Sequence, residues 1–211
     1  MANKAYELEQ NSEIKVLLAY EEAIGFMCGT QVLDKDGISA AIRASELIAF
    51  LDNKGLTLVD KLTEIYKEYG YHCNLASYFI VTDSNINDQI FHRLRNFQGT
   101  PNTYPKILAD KYQISSVRDL TTGYDNSSLD NKALLPMDAS SHMITFTFVN
   151  GVTATLRTSG TEPKLKYYAE YCGKPTQTDW KAIKTELDEM VDYISEEFIE
   201  ASKHGLKAKN D

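Results

Sequence analysis

The run RTSGTEPKLK, residues 157–166, has the parts needed to hold a phosphate. Thr158, Ser159 and Thr161 supply hydroxyl donors, and Gly160 lets the backbone turn so that amide N–H groups can converge on an anion. Arg157 offers a planar fork matched to phosphate oxygens, while Lys164 and Lys166 add point charge. The same residues also suit a plain Ser/Thr/Gly/Pro connection between two strands, with Pro163 fixing the exit and Glu162 cancelling part of the charge. The run is neither a Walker A loop nor a Rossmann fingerprint. Taken alone, the residue types leave both readings open.

Two further motifs could touch a ligand. EEAIG, residues 21–25, follows the apolar run Ile14 to Ala19. Ligands of open α/β sheets sit outside the carboxyl ends of strands, where Glu21 and Glu22 could accept hydrogen bonds from sugar hydroxyls. A solvated acidic turn is the plain alternative. DKDG, residues 34–37, precedes a helical pattern. Lys35 beside a helix N-terminus could attract an anion, whereas Asp36 is equally an N-cap and Gly37 an aid to the turn. Four histidines (His72, His92, His142, His204) and three cysteines (Cys28, Cys73, Cys172) show no metal or nucleophile spacing. Arg93 and Arg95 read as a solvated helix face.

These residues need elements to position them. The first part reads as α/β. MANKAYELEQ resembles the middle of an amphipathic helix, and IKVLLA reads as a short buried strand. A helix follows with Ile38, Ala41, Ile42, Ser45 and Ile48 on one side. A second starts at Thr57, with Asp60 as its capping-box partner and Gly70 as its stop. Its expected buried stripe is Leu58, Leu62, Ile65, Tyr66 and Tyr69. The pattern breaks at residues 83–87, which divides the chain into 1–84 and 85–211.

The second part opens with a helix carrying Ile86, Ile90, Leu94 and Phe97, then a loop from Gly99 to Pro105. It then reads as β-rich. Ile144, Phe146 and Phe148 alternate with threonines, Asn150-Gly151 signals a hairpin, and Val152, Ala154 and Leu156 alternate on the return strand. The phosphate-type run follows, then a strand with Leu165, Tyr167, Ala169 and Tyr171 on one face. A helix from about Asp179 to Phe198 bears Trp180, Ile183, Leu187, Met190, Val191, Ile194 and Phe198. The Lys-rich end reads as a frayed tail.

With 211 residues, a net charge of −8 and a pI near 5.1, the chain argues against nucleic acid as a partner, because phosphate-backbone affinity needs clustered Lys and Arg. No apolar run approaches the roughly 20 residues that span a bilayer. Three scattered cysteines favour a reducing, cytoplasmic setting over a disulfide framework or zinc site.

EEAIG, then DKDG about a dozen residues on, then a distant RTSGTEPKLK, is similar to the pattern of the α-D-phosphohexomutase superfamily. YEEAIGF, VLDKDGISAA, YKEYGYH, RDLTTGYD, MITFTF and RTSGTEPKLKYYAE resemble its phosphoglucomutase-2 branch, which includes phosphopentomutases and glucose-1,6-bisphosphate synthases. The resemblance implies an isomerase of four domains: a phosphoserine in the first, a Mg²⁺ loop in the second, a sugar-reading third and a phosphate-binding fourth. It aligns this chain with the later part of the third domain, an α/β partial domain, and with the fourth, an α+β fold of TATA-binding-protein type. It implies that Arg157, Ser159, Gly160 and Thr161 bind the non-reacting phosphate, with Thr158, Lys164 and Lys166 in support. Glu21, with Glu22 beside it, would read the sugar, and Lys35 would approach the substrate phosphate.

No catalytic or metal residue is assigned, because no nucleophilic serine context and no DxDxD loop occurs. Mg²⁺ and glucose 1,6-bisphosphate are thus expected of the full-length enzyme, with the missing N-terminal domains as partners and this chain inactive alone. The incomplete first domain is expected to expose a sheet edge. Ala23 stands where many glucose-specific members have serine, which leaves hexose or pentose preference open. The competing readings are a non-catalytic phosphosugar-binding or interaction module and part of a glucose-1,6-bisphosphate synthase.

Overall fold

The computed structural model describes residues 1–11, 13–21 and 24–209. Two compact units divide at Ile65 and Tyr66. The expected division after residue 84 therefore moves upstream. The reason is β-pairing: the strand β3 (His72–Ile80), expected in the first unit, pairs along its whole length with β9 (Lys164–Cys172) in the second.

The first unit contains α1 (Ala2–Asn11), a hairpin of β1 (Leu18–Glu21) and β2 (Gly25–Cys28), α2 (Gly37–Asp52) and the start of α3 (Leu58–Tyr69). Asp36 caps α2 by accepting from the amides of Ile38 and Ser39, at 3.0 and 3.1 Å. Thr57 and Asp60 form the expected capping box, with Thr57 N donating to Asp60 Oδ2 at 2.8 Å and Asp60 N to Thr57 Oγ1 at 3.1 Å. The IKVLLA strand is shorter than expected, beginning at Leu18, and Ile14, Leu17 and Leu18 are exposed rather than buried. The apolar stripe of α3 is likewise open, with Leu58, Leu62, Ile65 and Tyr69 exposed, as are Ile38, Ile42 and Ile48 on α2. A periodic apolar pattern records what a helix could bury, and here the described residues of the unit do not cover it.

The second unit is built on an antiparallel sheet in the order β10-β3-β9-β8-β7-β5-β4, with β6 paired to β5. Its strands are β3, β4 (Ile107–Leu108), β5 (Tyr112–Asp119), β6 (Tyr124–Asp125), β7 (Met143–Phe148), β8 (Val152–Thr158), β9 and β10 (Lys207–Ala208). Helices α4 (Ser84–Arg95) and α5 (Trp180–Tyr193) join the core, α5 ending in a single π turn at Ile194–Phe198. Strand alternation sends Ile144, Phe146, Phe148, Val152, Ala154, Leu156, Leu165 and Ala169 into this core with Ile90, Phe91, Leu94, Leu187 and Met190. The opposite face carries Thr153, Thr155 and Arg157 of β8.

The Asn150-Gly151 hairpin forms with a three-residue loop, in which Gly151 takes the left-handed conformation (φ 96°) and donates its N–H to Phe148 O. Gly70 ends α3 as expected (φ 101°), and a Cβ there would lie 1.8 Å from the Gly173 carbonyl. The strands between residues 106 and 142 escape the hydrophobic pattern because β5 shifts register between Ile114 and Ser116, which breaks its alternation. The C-terminal tail is not frayed through residue 208: Lys207 and Ala208 pair with Ile80 and Phe79 as β10.

Candidate functional site

The phosphate-type run occupies the turn between β8 and β9, with Arg157 and Thr158 closing one strand and Lys164 to Lys166 opening the next. Ser159 N donates to Lys164 O at 2.9 Å across the loop mouth, and Lys164 N donates to Glu162 O at 2.7 Å. The loop is anchored on both flanks. Thr158 N donates to His142 O at 3.0 Å, His142 N donates to Thr158 Oγ1 at 2.9 Å, and Val81 N donates to Pro163 O at 2.8 Å. Thr158 Oγ1 thus accepts a backbone hydrogen bond that ties the loop to residue 142.

Gly160, Thr161 and Glu162 are exposed at the tip. The φ of Gly160 is outside the left-handed region, and an added Cβ would meet nothing within 4 Å. What the glycine leaves is open space.

Arg157 lies directly opposite Lys166 on the β8–β9 ladder, both away from the core. Like charges opposed across a sheet repel. Glu162 offsets part of this, bridging Lys164 at 2.6 Å and Lys166 at 3.7 Å. The hydrogen bond from Lys164 holds the Glu162 carboxyl below its usual range, and the same bond raises Lys164, whose ammonium also sits 4.1 Å from the Tyr78 ring centre. Among the described residues the Arg157 guanidinium has no ion-pair or hydrogen-bond partner. The loop therefore presents one free guanidinium, two partly neutralised lysines and the unengaged hydroxyls of Ser159 and Thr161.

In the first unit, Glu21 ends β1 and meets Lys35, with Nζ to Oε1 at 3.0 Å. Donating to the Glu21 carboxylate raises the Lys35 ammonium above its usual value. This meeting depends on Gly25, where a Cβ would lie 2.5 Å from Lys35 Cδ and 2.8 Å from Glu21 Oε1. DKDG is also tied to the hairpin by Asp36 N donating to Phe26 O at 3.0 Å. Glu22 and Ala23 lie outside the described residues. The structure thus brings together Glu21 with Lys35, and Arg157 with the lysines and hydroxyls of its loop.

Two readings of charged residues are corrected. Arg95 is not a solvated surface group: its side chain is 16% exposed and binds Asp119, itself 0% exposed, through Nε at 2.6 Å and a terminal nitrogen at 3.2 Å. Arg95 also meets His142 Nδ1 at 3.1 Å, and His142 Nε2 meets Asp88 at 2.9 Å. This network underlies residue 142, the backbone partner of Thr158. Arg93 is also engaged, donating to the carbonyls of Glu197 and Phe198 at 2.8 and 2.6 Å. Nothing in the local pattern marks Arg95 as a core residue; the spacing of 24 residues to Asp119 is bridged only by packing α4 against β5.

Residues 4–69 match the family described as phosphoglucomutase/phosphomannomutase, alpha/beta/alpha domain III. Among curated proteins, the chain is 53% identical to the phosphopentomutase of Mus musculus over 209 residues, covering 99% of this chain and 33% of that protein. It is 51% identical to the glucose 1,6-bisphosphate synthase of Mus musculus, covering 91% of this chain and 31% of that protein. A probable phosphoribomutase of Schizosaccharomyces pombe is 45% identical, over 80% of this chain and 28% of its own length. The chain spans about a third of the length of these relatives. Among solved structures, the open form of the Paramecium exocytosis-sensitive phosphoprotein parafusin, a phosphoglucomutase, matches with a TM-score of 0.57 and 17% identity, covering 89% of this chain and 30% of that one. That likeness speaks to fold. The relatives and the domain match together show that the chain belongs to the α-D-phosphohexomutase superfamily, in its phosphoglucomutase-2 and phosphopentomutase branch.

Proposed function

We propose that this chain is the part of a phosphopentomutase-type isomerase that reads the sugar and grips the phosphate that is not being transferred. The observation that carries the reading is the unpaired Arg157, held opposite Lys166 at the base of an open Ser/Gly/Thr loop. Two opposed cations with incomplete neutralisation are a stability cost that a bound dianion relieves. Arg157 is the bidentate partner for phosphate oxygens, Ser159 and Thr161 donate hydroxyls, Gly160 leaves room for close approach, and Lys164 and Lys166 supply charge. Thr158 anchors the loop. In the first unit, Glu21 accepts from sugar hydroxyls, with Glu22 beside it, and Lys35, now paired with Glu21, turns to the substrate phosphate.

The chemistry asks for such a grip. Moving a phosphoryl group between two positions of one sugar passes through a bisphosphate that must turn end over end, so one site has to hold either phosphate without reacting with it. Phosphoryl transfer depends mainly on positioning and electrostatics. The phosphoserine, Mg²⁺ and the bisphosphate activator belong, in this reading, to the rest of the enzyme. The Mg²⁺ loop is read as lying outside this chain because the sequence carries no DxDxD pattern. We read the second unit as a TATA-binding-protein-like fold, on its antiparallel sheet with helices packed in one core, and the enzyme as cytoplasmic. No helix among the described residues is long and apolar enough to cross a membrane.

The test is Arg157→Ala in the full-length enzyme, assayed on ribose 1-phosphate and glucose 1-phosphate with bisphosphate activator. Charge-assisted hydrogen bonds of roughly 1.5–3 kcal/mol predict a loss of about 10- to 100-fold in kcat/KM. An unchanged value removes the assignment. Glucose-1,6-bisphosphate formation without mutase turnover favours the synthase reading instead, a possibility kept alive by the 51% identical relative.

A further inference from the structure

At the other end of β3 and β9 from the phosphate loop, three side chains converge. His72 and Cys172 are direct cross-strand partners, and Glu170 lies two residues back on β9, on the same face. We propose that His72, Glu170 and Cys172 form a binding site for a divalent transition-metal ion of the Zn²⁺ class. Their ligand atoms all lie within 4.8 Å of one another. His72 Nδ1 is 3.4 Å from Glu170 Oε1 and 3.5 Å from Cys172 Sγ.

A His–carboxylate hydrogen bond is normally about 2.7–3.2 Å, so the pair is stretched for a direct contact. A tetrahedral zinc with bonds of roughly 2.0–2.3 Å sets its ligands about 3.4 Å apart for N and O, and about 3.6 Å for N and S. The observed N–O and N–S separations match those edges, and the oxygen and sulfur lie within 4.8 Å of each other. Nitrogen, oxygen and thiolate together suit Zn²⁺ or Co²⁺ and not Mg²⁺ or Ca²⁺, which take oxygen alone. The residues are solvent-exposed, so an ion can reach them and water can fill the fourth position.

The site is separate from the phosphate grip. The paired strands run from Ile80 and Lys164 at the loop end to His72 and Cys172 at this end, eight residue steps or about 27 Å. Its effect is to staple β3 to β9 where the chain leaves α3. There the two segments already approach so closely that Gly70 and Gly173 touch backbone to backbone. Burial pushes the Cys172 thiol up, with Glu170 adding to the shift, so binding must expel the thiol proton to solvent.

The test uses the full chain stripped with chelator and titrated with Co²⁺, then with Zn²⁺ as competitor. The expected result is one ion per chain and a near-ultraviolet sulfur-to-cobalt charge-transfer band that Zn²⁺ abolishes. Cys172→Ser eliminates the band, Glu170→Gln and His72→Gln weaken binding at least tenfold, and Cys28→Ser leaves both unchanged. Absence of the band at saturating Co²⁺, or its survival in Cys172→Ser, overturns the proposal. All three positions are exposed, and a melting temperature of the metal-free variants within a few degrees of the parent confirms that loss of the band is not loss of fold.

Discussion

Replacing Asp119 by alanine should unfold the second unit at a much lower temperature than the parent. The carboxylate is fully buried and accepts two hydrogen bonds from Arg95, one from the Tyr104 hydroxyl at 2.9 Å and one from Thr121 N at 3.0 Å. Removing it strands a guanidinium that is only 16% exposed and takes away the carboxylate that accepts from the Tyr104 phenol. Breaking a buried ion pair by deleting one partner costs about 3–5 kcal/mol. At about 2–4 °C per kcal/mol for a chain of this size, a mid-range loss of about 4 kcal/mol lowers Tm by about 8–16 °C. Trp180, the only tryptophan, lies in the second unit and stacks on Tyr71, so its fluorescence reads this transition. A change below about 1 kcal/mol would refute the reasoning, because ordinary surface substitutions reach about half that. Arg95→Met in the Asp119→Ala background should recover much of the loss, since it removes the stranded charge.

The same pair sets an acid limit. Burial pushes the Asp119 carboxyl up, but the hydrogen bonds and charge of Arg95, the Tyr104 hydroxyl and the Thr121 amide outweigh it and hold the group below the usual aspartate value. The contribution is therefore complete above the unfolded value of about 3.9 and is lost as pH falls below it toward the folded value. Asp119→Ala should show a shallower fall of Tm between pH 5 and pH 2 (roughly the span over which such carboxylates titrate) than the parent. Inorganic phosphate should raise the Tm of this chain in proportion to the logarithm of its concentration, and Arg157→Ala should abolish that rise; an equal rise in the variant places the anion elsewhere. Gly70→Ala should destabilise by several kcal/mol, in the range of severe core lesions, because its Cβ would enter the Gly173 carbonyl at 1.8 Å; a neutral result in a thermal melt contradicts the close approach. The first unit exposes Leu17, Ile24, Ile38, Ile42, Phe50, Val59 and Leu62, so sedimentation should show concentration-dependent self-association of the isolated chain, and a monomer at every concentration would count against it.

Much of the second unit is legible in the residue pattern. Alternating Ile144, Phe146 and Phe148, the hairpin glycine and the alternation of β8 and β9 are local signals with a period of two, and the unit obeys them. The caps at Asp36 and at Thr57 with Asp60 are local as well, since each is closed within three residues. The stripe of α5 is buried as its spacing predicts because its partner, the sheet, lies within the same unit. The stripes of α2 and α3 do not translate into burial, since an apolar face states a preference and not the presence of something to cover it. Strand β5 is hidden by its bulge, and β10 by a short polar sequence that only a free sheet edge on β3 could recruit.

Element types, caps and the residue chemistry of the phosphate loop, with its hydroxyls, guanidinium and lysines, follow from the amino-acid order alone. They depend on neighbours a few positions away, so one-dimensional pattern suffices. Other features exist only once the chain is folded: Arg157 faces Lys166 without a carboxylate of its own, and Thr158 is spent on His142. Folding likewise locks Arg95 beneath β5, carries Glu21 to Lys35 across a glycine, and brings His72 to Cys172 from 100 residues away. Each of these follows from strand register or helix packing, which joins residues by distance in space rather than along the chain.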